Sequence, residues 1–399
     1  MVKRRVCVVT GSRADYGLLV GLLTRLQNDN DLDLQLVATG MHLSPEFGMT
    51  CQQIEEDGFQ IDSKVEMLVS SDSDIGVAKS MGLGVISASD ALQSLSPDIV
   101  LVLGDRFEIF SFVLAAYYLR TPVAHIHGGE VTTGSLDDGV RHAITKLSTV
   151  HFVAAEPYRQ RVIQLGESPS RVMCVGGLGV DNIVETQLLT RRELEAQLAF
   201  SLGAKSILVT YHPQTSKSTE VELDADALLA ALSNLDDTVR IVFSRSNADT
   251  GGRKISQRID QFVEQNASRA AVFTSLGQVR YWSLMREVDA VVGNSSSGIL
   301  EAPTFHTPTV NIGDRQNGRV RCASIIDCPA DSTEILASIH KALTPDFRSV
   351  CERVENPLGV GGASDKIVKA LKNLTDEDLK TDKTFFDCYE HAKHCADSS

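Results

Sequence analysis

Short apolar runs alternate with helix-length amphipathic stretches along nearly the whole chain, and this alternation restricts the fold more than any other feature. In the first half, the short β-branched runs that predict strands are residues 5–10, 34–39, 98–103, 123–127, 150–154 and 171–175. The amphipathic stretches between them, which predict helices, are residues 16–28, 86–95, 107–119, 137–149 and 157–165. Strands and helices in this order form a mostly parallel sheet that has helices on both faces.

The second half of the chain repeats the pattern. Strands are predicted at residues 206–211, 240–244, 271–273, 290–293 and 308–312, and helices at residues 224–235, 255–266, 281–287 and 298–304. A length of 399 residues is enough for two or three domains. We therefore predict two Rossmann-like α/β domains, residues 1–180 and 181–355, with a cleft between them. The expected linker region, residues 181–203, holds a long helical segment; a final helix covers residues 365–373, and the polar tail 374–399 is expected to be partly loose.

The charge balance excludes several classes of partner. Lys and Arg total 38 against 52 Asp and Glu, a net charge of −14, and such a surface repels nucleic acid and anionic membranes. The sequence has no apolar run that approaches the ~18 residues of a membrane span, and its eight cysteines form no C-x-x-C pair. We expect a cytoplasmic enzyme with reduced thiols. Cys388, His391, His394 and Cys395 have helical spacing, but in a polar tail chance is the simpler explanation, so we expect no metal and no cofactor.

Polar residues follow strands of the first half at their carboxyl ends, where open α/β sheets bind their ligands. The loop after residues 5–10 carries Arg13, whose guanidinium either forks onto a phosphate or stays solvated at a strand–helix turn. Asp105 and Arg106 follow the strand at residues 98–103, either as a structural ion pair or as functional groups.

The strand at residues 123–127 ends in His125 and His127, and Gly-Gly-Glu follows. Alternate residues of a strand face opposite sides, so one of the two histidines is expected to pack in the core. Asp137 and Arg141 share one face of the next helix, which a Ser-Leu-Asp-Asp capping box opens. A helix cap with a surface ion pair is the structural alternative. Two ionisable clusters within about one β-α-β unit favour an active site.

In the second half, polar groups again follow the predicted strands. His212 comes directly after one strand, and Asn247 lies in the polar loop after the next. Ser295 and Ser296 open a helix whose free N–H groups and hydroxyls suit a phosphate, although simple N-capping also explains them.

Further polar residues lie beyond that helix start. Glu301, one turn into the helix, can accept hydrogen bonds from a ribose diol, and Arg315 brings positive charge near a strand end. Tyr281 and Trp282 begin an apolar helix, where they belong to the core or lie against a base. Together these residues predict a nucleotide diphosphate site in the second domain.

These motifs together resemble the UDP-N-acetylglucosamine 2-epimerases, in particular the hydrolysing branch of sialic acid biosynthesis. The resemblance is carried by G-S-R-A-D-Y at 11–16, T-G-M-H-L at 39–43, G-D-R-F-E at 104–108, H-I-H-G-G-E at 125–130, D-D-G-V-R-H-A-I-T-K at 137–146, H-P at 212–213, G-N-S-S-S-G-I-L-E at 293–301 and N-I-G-D-R-Q-N-G-R at 311–319. It implies a fold like that of the GT-B glycosyltransferases, in which residues 356–373 form a helix that crosses back to the first domain. We also expect a homodimer or homotetramer.

The chemistry of this family implies that UDP-GlcNAc binds in the cleft and that a base removes the proton from C2 while UDP leaves by anti-elimination. The product of this step is 2-acetamidoglucal, to which water adds to give N-acetylmannosamine. Because C2–H is weakly acidic, the step needs a positioned base, stabilisation of the leaving group and control of water.

The resemblance also assigns roles to individual residues. By similarity, Asp105, Asp137 and Arg141 lie at the sugar, and His212 lies near the sugar and the phosphates. The remaining contacts to UDP and substrate are expected from Arg13, His42, Arg106, Glu130, Asn247, Tyr281, Ser295, Ser296, Glu301 and Arg315. Many relatives carry Glu where this chain has His127, so His127 is included among the catalytic residues as a candidate for the C2 base.

Three alternative functions are open at this point. The same chemistry can act on a UDP- or GDP-linked 2,4-diacetamido-2,4,6-trideoxyhexose. A non-hydrolysing 2-epimerase is the second alternative, although such relatives usually read G-D-T and H-V-E-A-G at the two strand ends, unlike this chain. A catalytically inactive sensor of nucleotide sugars is the third, and the presence of Asp105, Asp137 and Arg141 argues against it.

Overall fold

The computed structural model describes residues 3–69, 71, 73–132, 136–212, 221–245 and 252–388, and the chain divides into two compact units. One unit consists of Met1–Asn182 together with Gly361–Ser399, and the other of Ile183–Val360. Each unit is built on its own parallel sheet. None of the helices in these described ranges is long and apolar enough to span a membrane.

In the described part of the first unit, seven parallel strands form one sheet in the order β3-β2-β1-β4-β5-β6-β7. The strands are β1 Arg4–Thr10, β2 Leu32–Thr39, β3 Ser63–Val65, β4 Ile99–Leu103, β5 Val123–Ile126, β6 Val150–Val153 and β7 Val172–Cys174. The helices that cover them are α1 Arg13–Asn28, α2 Cys51–Glu56, α3 Asp74–Leu95, α4 Phe107–Tyr118, α5 Leu136–Leu147 and α6 Glu156–Gln164, and α7 Leu178–Glu185 leads into the second unit.

The second unit has, within its described residues, a parallel sheet of six strands in the order β10-β9-β8-β11-β12-β13. Its strands are β8 Lys205–Thr210, β9 Val239–Ser244, β10 Ala270–Phe273, β11 Ala290–Gly293, β12 Thr309–Ile312 and β13 Ile325–Cys328. Its helices are α8 Arg191–Leu198, α9 Val221–Ser233, α10 Gly252–Gln265, α11 Gly277–Glu287, α12 Ser296–Leu300, α13 Ser332–Ala342 and α14 Pro345–Cys351.

In both sheets the order of the strands reverses beside the first strand of the unit. The reversal lies between β1 and β4 in the first sheet and between β8 and β11 in the second. Ligands of doubly wound sheets bind at such a point, beyond the carboxyl ends of the strands. The predicted fold class, two α/β domains with parallel sheets, is confirmed.

The first sheet is buried on both faces, which explains why its central strands are continuous apolar runs. Val6 and Val8 of β1 belong to the apolar cluster on one face, whereas Cys7 and Val9 belong to the cluster on the other. All residues of β4 are buried as well. The strand ends that carry the predicted site residues therefore rest on a rigid, fully covered sheet.

The last described helix, α15 Ala363–Asn373, belongs to the first unit. Its Ile367 and Leu371 are fully buried in the same cluster as Leu19 and Leu23 of α1. The first unit is therefore completed by residues that follow the whole of the second unit in sequence.

Asp181 is expected to contribute strongly to the stability of the first unit. Its carboxylate is 1% exposed and accepts hydrogen bonds from the backbone N–H groups of Ala363 at 2.9 Å and Ser364 at 2.7 Å. Asp181→Ala removes this cap of α15 and leaves two donors without an acceptor, so we expect the free energy of unfolding to fall by ~2 kcal/mol. Urea unfolding followed by circular dichroism measures the change.

Asp331 provides the matched control for this substitution. It caps α13 in the same way, but the residue is exposed to solvent. Water can replace an exposed cap, so Asp331→Ala should cost less than Asp181→Ala. Equal losses for the two variants would show that burial of Asp181 adds nothing to its cap.

Two details of the predicted elements are wrong. The region 181–203 holds two helices instead of one long segment, because α7 ends at Glu185 and α8 begins only at Arg191, behind a capping box of Thr190 and Glu193. Helix α3 begins at Asp74, well before the predicted start at residue 86.

Candidate active site

The loop after β1 is shaped by a buried carboxylate. Asp15 accepts hydrogen bonds from the backbone N–H of Gly11 at 2.8 Å and from the hydroxyl of Thr10 at 3.1 Å, and the hydroxyl of Ser12 donates to its second oxygen. Arg13, the first residue of α1, is exposed at the same turn. The loop therefore presents the Arg13 guanidinium at the point where the strand order reverses.

A second buried carboxylate, Glu108, holds Arg106. Glu108 is 0% exposed, and the Nε and Nη2 atoms of Arg106 donate to its two oxygens at 3.2 Å and 2.8 Å. Gly40, with φ +57°, passes so close that a Cβ atom there would lie 2.7 Å from Cγ of Glu108. Sequence reasoning missed this function of Glu108, which is to fix the head of Arg106. The alternative of an Asp105–Arg106 ion pair is not what forms.

Asp105 and Arg141 are brought together, as predicted for two residues at the sugar. Nη2 of Arg141 donates to the Asp105 carboxylate, and Nη1 donates to Asp138 at 3.1 Å and to the backbone carbonyl of Glu130 at 3.0 Å. Arg141 is only 7% exposed. The guanidinium thus joins the loops after β4 and β5 to helix α5.

The pKa of Asp105 is raised above its ordinary value. Burial is the largest cause, the charges of Asp137 and Glu130 add to it, and Arg141 opposes the shift. These carboxylates therefore share one electrostatic environment, and the structure places Asp137, in the first turn of α5, within it. A carboxyl group with a raised pKa is protonated more readily than an ordinary aspartate.

His127 occupies an unusual backbone conformation at the end of β5. The strand ends at Ile126, and His127 has φ +66°, so the expected alternation of His125 and His127 across a strand does not apply. Nδ1 of His127 lies 3.1 Å from Oε1 of Glu130. Within the described ranges, Nε2 of His127 is buried and has no hydrogen-bond partner. Glu130 therefore orients the ring and leaves its other nitrogen available.

His125 is the histidine that packs in the core. It is fully buried; its Nε2–H donates to the carbonyl of Gly104 at 2.7 Å, and its Nδ1 lies 3.1 Å from the hydroxyl of Thr145. A carbonyl only accepts, so Nδ1 accepts from that hydroxyl and the ring is neutral. Burial lowers the pKa of His125 to about 3.

His42 is placed inside the first unit. Its Nε2 lies 3.0 Å from the hydroxyl of Thr10 and its Nδ1 lies 2.7 Å from the hydroxyl of Thr50, and the residue is 0% exposed. Burial lowers the pKa of its ring. His42 therefore packs against the loop after β1 through Thr10. Its predicted contact with substrate stays a prediction.

In the second unit, Asn294 joins the loops that follow β8 and β11. Its side-chain oxygen accepts from the backbone N–H of His212 at 2.7 Å, and its side-chain nitrogen donates to the carbonyl of His212 at 2.8 Å. Its own backbone carbonyl accepts from Nη1 of Arg315 at 3.1 Å. Sequence reasoning did not single out Asn294, although it lies in the motif that was read as a phosphate loop.

A hydroxyl cluster lies at the start of α12. The hydroxyls of Tyr281 and Ser297 are 2.6 Å apart, and those of Ser295 and Ser297 are 2.9 Å apart. Burial raises the pKa of Tyr281. Helix α12 covers only Ser296–Leu300, so the helix predicted at residues 298–304 starts earlier and is shorter, and a 3-10 turn at Ala302–Phe305 follows it.

Glu301 directly follows that helix. Its carboxylate accepts a hydrogen bond from Nε1 of Trp282 at 2.7 Å. Burial raises the pKa of Glu301, and the bond to Trp282 partly opposes the shift. Trp282, one of the two aromatic residues predicted to lie in the core or against a base, is therefore buried and orients Glu301.

The remaining predicted residues are placed as follows. Ser296 is half-buried beside Ser295, and Arg315 is exposed. Asn247, and the histidines and second cysteine of the 388–395 cluster, lie outside the described residues, as does the serine of the predicted capping box before α5. In the part of the chain that is described, no group of three potential ligands is close enough to hold a metal ion.

Comparison with known protein families gives a match over most of the chain. The family model described as UDP-N-acetylglucosamine 2-epimerase matches residues 24–372. The chain is 38% identical to a hydrolysing GDP/UDP-N,N'-diacetylbacillosamine 2-epimerase of Campylobacter jejuni, over 97% of this chain and 100% of that protein. It is 37% identical to the polysialic acid biosynthesis protein P7 of Escherichia coli, over 97% of this chain and 98% of that protein.

Comparison with solved structures agrees on the fold. The structure of a UDP-GlcNAc 2-epimerase from Neisseria meningitidis, bound to UDP-GlcNAc, superposes with a TM-score of 0.74 at 20% sequence identity. It covers 92% of this chain and 99% of that chain. The resemblance drawn from the motifs is confirmed, and the chain belongs to the UDP-N-acetylglucosamine 2-epimerase family.

Proposed function

We propose that the protein is a hydrolysing UDP-GlcNAc 2-epimerase, which converts UDP-GlcNAc and water into N-acetylmannosamine and UDP. The observation that carries this proposal is the pair of linked groups at the end of the first sheet, Asp105 with Arg141 and His127 with Glu130. They combine a carboxyl group of raised pKa, a buried cation and an oriented imidazole, which are the kinds of group that proton transfer at C2 requires.

The proposed reaction has two steps. In the first, a base takes the proton from C2, the C1–O bond to the diphosphate breaks, and the C2–H electron pair forms the C1–C2 double bond of 2-acetamidoglucal. In the second, water adds its hydroxyl to C1 and a proton returns to C2 on the opposite face. The net change is hydrolysis with inversion at C2.

His127 is assigned to the transfer of the C2 proton. Glu130 accepts from Nδ1, which leaves Nε2 as the nitrogen that can take a proton. Asp105 is assigned to proton transfer with the sugar, and Asp137, in the first turn of α5, is assigned to a sugar hydroxyl or the water. Arg141 orients Asp105.

The second unit is assigned to the nucleotide. Ser295, Ser296 and Arg315 would hold the diphosphate of UDP, and Glu301 would accept from the ribose. In the first unit, Arg13 is also proposed to bind phosphate. His212 would act near the phosphates. The hydroxyl cluster at the start of α12 and the exposed guanidinium of Arg315 support these roles.

A product assay tests the proposed function. The protein is incubated with UDP-GlcNAc, released UDP is quantified by a coupled assay, and the sugar is identified by chromatography. We expect UDP and N-acetylmannosamine in equal amounts. UDP-N-acetylmannosamine without free UDP would mean a non-hydrolysing epimerase, and absence of turnover with a full panel of nucleotide sugars would mean a sensor.

A second substrate has specific support. The Campylobacter jejuni relative is named for N,N'-diacetylbacillosamine, a sugar with a second acetamido group and a 6-methyl group. Beside Arg106, the first unit contains a cavity of about 750 Å³ whose lining includes Met41, Leu43 and Phe107, and these apolar side chains suit a deoxysugar. Comparing kcat/KM for UDP-GlcNAc with that for UDP- and GDP-linked diacetylbacillosamine decides between the two sugars.

Arg315→Ala and Arg13→Ala are expected to raise KM and the Kd for UDP by at least about tenfold, because each removes a charge-assisted hydrogen bond to phosphate. The strongly acidic chain offers no bulk attraction in their place. Calorimetry with UDP measures the loss. Arg192→Ala, which removes an exposed arginine from α8, is the control and should bind UDP normally. Unchanged UDP affinity in the first two variants would remove both residues from the site.

A further inference from the structure

A buried ionic cluster in the first unit has no part in the proposed reaction. Glu167, 1% exposed, accepts hydrogen bonds from Nζ of Lys146 at 2.7 Å and from Nζ of Lys383 at 2.5 Å. Nε2 of His151 lies 3.1 Å from the same carboxylate and is fully buried. These four side chains come from four separate parts of the chain, so the cluster joins α5, β6, the loop after α6 and the segment that follows α15.

The segment 375–388 lies along the first unit as a strap, in contrast to the loose tail expected from its composition. Arg171 donates to the carbonyl of Glu377 at 2.9 Å and to that of Lys380 at 3.2 Å. The backbone N–H of Phe386 donates to the carbonyl of Gly166 at 2.9 Å. The ring of Phe385 occupies the space that a side chain at position 166 would need.

Within this strap, the side chain of Lys383 extends into the first unit. Its side chain is 15% exposed, and besides Glu167 it donates to the carbonyl of Ser148 at 2.5 Å, directly after helix α5. Burial is the largest reason why its pKa falls to about 8, while Glu167 opposes the shift. Of the two lysine partners of Glu167, Lys383 is the more buried, because the side chain of Lys146 is 42% exposed.

The elements joined by the strap are those that carry the candidate active site. Arg141 lies on α5, which ends just before Ser148. In β6, His151 precedes Phe152, whose carbonyl accepts the backbone N–H of His127 at 2.9 Å. If the end of α5 moves, Arg141 moves with it because both belong to one helix. If β6 moves, the hydrogen bond between His127 and Phe152 passes the movement to His127.

We propose that Lys383 is a positioning residue: by pairing with the buried Glu167 it holds α5 and β6 in register and so places Arg141 and His127 for proton transfer at C2. The proposal rests on the proposed function for its effect on turnover. Lys383 contacts neither Arg141 nor His127, so it acts on proton transfer only through α5 and β6, which carry these two residues. Its hydrogen-bond partners, Ser148 and Glu167, are not among the residues assigned to the nucleotide. Its loss should therefore lower kcat and leave the affinity for UDP unchanged.

The test compares four variants with the full-length protein, using UDP-GlcNAc for turnover and UDP for calorimetry. Lys383→Gln removes the charge, Lys383→Arg keeps it, and Glu167→Gln with Lys383→Gln removes both partners. Lys380→Gln is the matched control, because Lys380 lies on the same segment and pairs with Glu377 at the surface. Hydrogen exchange of peptides that cover residues 123–132 and 136–153 reports the position of the same elements without turnover.

We expect Lys383→Gln to lower kcat by roughly tenfold to a hundredfold, the scale of a small misplacement of catalytic groups, with a Kd for UDP within about twofold of wild type. Lys383→Arg should recover much of the loss, whereas the double variant also lacks the pair and should not. Exchange over residues 136–153 should be faster in Lys383→Gln and in the double variant. Lys380→Gln should behave as wild type. Wild-type kcat and exchange in Lys383→Gln would overturn the proposal.

Three further outcomes are decisive. If Lys383→Gln does not fold but the double variant does, the double variant decides: a kcat lowered by roughly tenfold or more supports positioning by the pair, and a wild-type kcat overturns the proposal. If neither folds, Lys383 is a general structural residue and the proposal is wrong. If the wild-type protein releases UDP from no nucleotide sugar, the proposed function fails, whereas hydrogen exchange still decides whether Lys383 holds α5 and β6.

Discussion

Asp105→Asn is expected to lower kcat by at least ~10²-fold, the usual scale for the loss of an acid–base group. Asn has the shape of Asp and can still accept a hydrogen bond from Arg141, but it can neither take up nor release a proton. Asp105 is the carboxyl group whose pKa burial raises, and Arg141 fixes its orientation. Steady-state release of UDP, with folding checked by circular dichroism, measures the effect.

Asp137→Asn should cause a loss of the same order, because a neutral amide binds a sugar hydroxyl or water more weakly than a carboxylate does. The neighbouring Asp138 offers a matched control. It contacts Arg141 at 3.1 Å but has no assigned part in proton transfer, so Asp138→Asn should cost less than about tenfold. If Asp105→Asn and Asp138→Asn reduced kcat equally, the loss would reflect only the position of Arg141.

His127 is the second position with a large expected effect. His127→Ala should lower kcat by roughly 10²-fold or more, since it removes the group assigned to the C2 proton. His127→Glu should keep measurable activity, because a carboxylate stands at this position in many relatives. Steady-state release of UDP by the two variants and by wild type, at one pH, measures both effects.

Glu130 gives an independent check of this assignment. Glu130→Gln retains the size of the side chain but loses the negative charge 3.1 Å from Nδ1 of His127. We expect a smaller fall in kcat, of about tenfold, because the imidazole loses the charged acceptor that orients it. His340→Ala, an exposed position on α13, is the control for loss of a histidine as such. Full activity in His127→Ala would make His127 a packing residue.

The fold was predictable because its signal is local. The strands of both sheets are short β-branched runs, and the helices between them are long enough to show their amphipathic period. β3 and β13 were not predicted, because polar residues interrupt their short runs: β3 is Ser63–Val65 with a Lys at its centre, and β13 is Ile325–Cys328 with an Asp. Such runs do not stand out from the loops beside them.

The candidate site was predictable only in part. Asp105 follows β4 and Arg141 lies on the helix after β5, so their approach could be anticipated from the topology of parallel strands. The orientation of His127 could not, since its positive φ accompanies the end of β5 and the hydrogen bond that its backbone N–H donates to β6. Asn294 acts through His212, which is distant in sequence, so no spacing rule reveals their pairing.

The return of α15 to the first unit sets an order of events during synthesis. Residues 183–360 form a unit continuous in sequence, whereas the first unit lacks the helix that buries Leu19 and Leu23 until residue 363 has left the ribosome. Domains generally fold from the N-terminus as they emerge. Here the later unit can finish first, and an apolar surface on the nascent first unit must wait for it. A nascent chain stalled before α15 should therefore be a chaperone client and sensitive to protease within the first unit, and one stalled after the strap should be resistant.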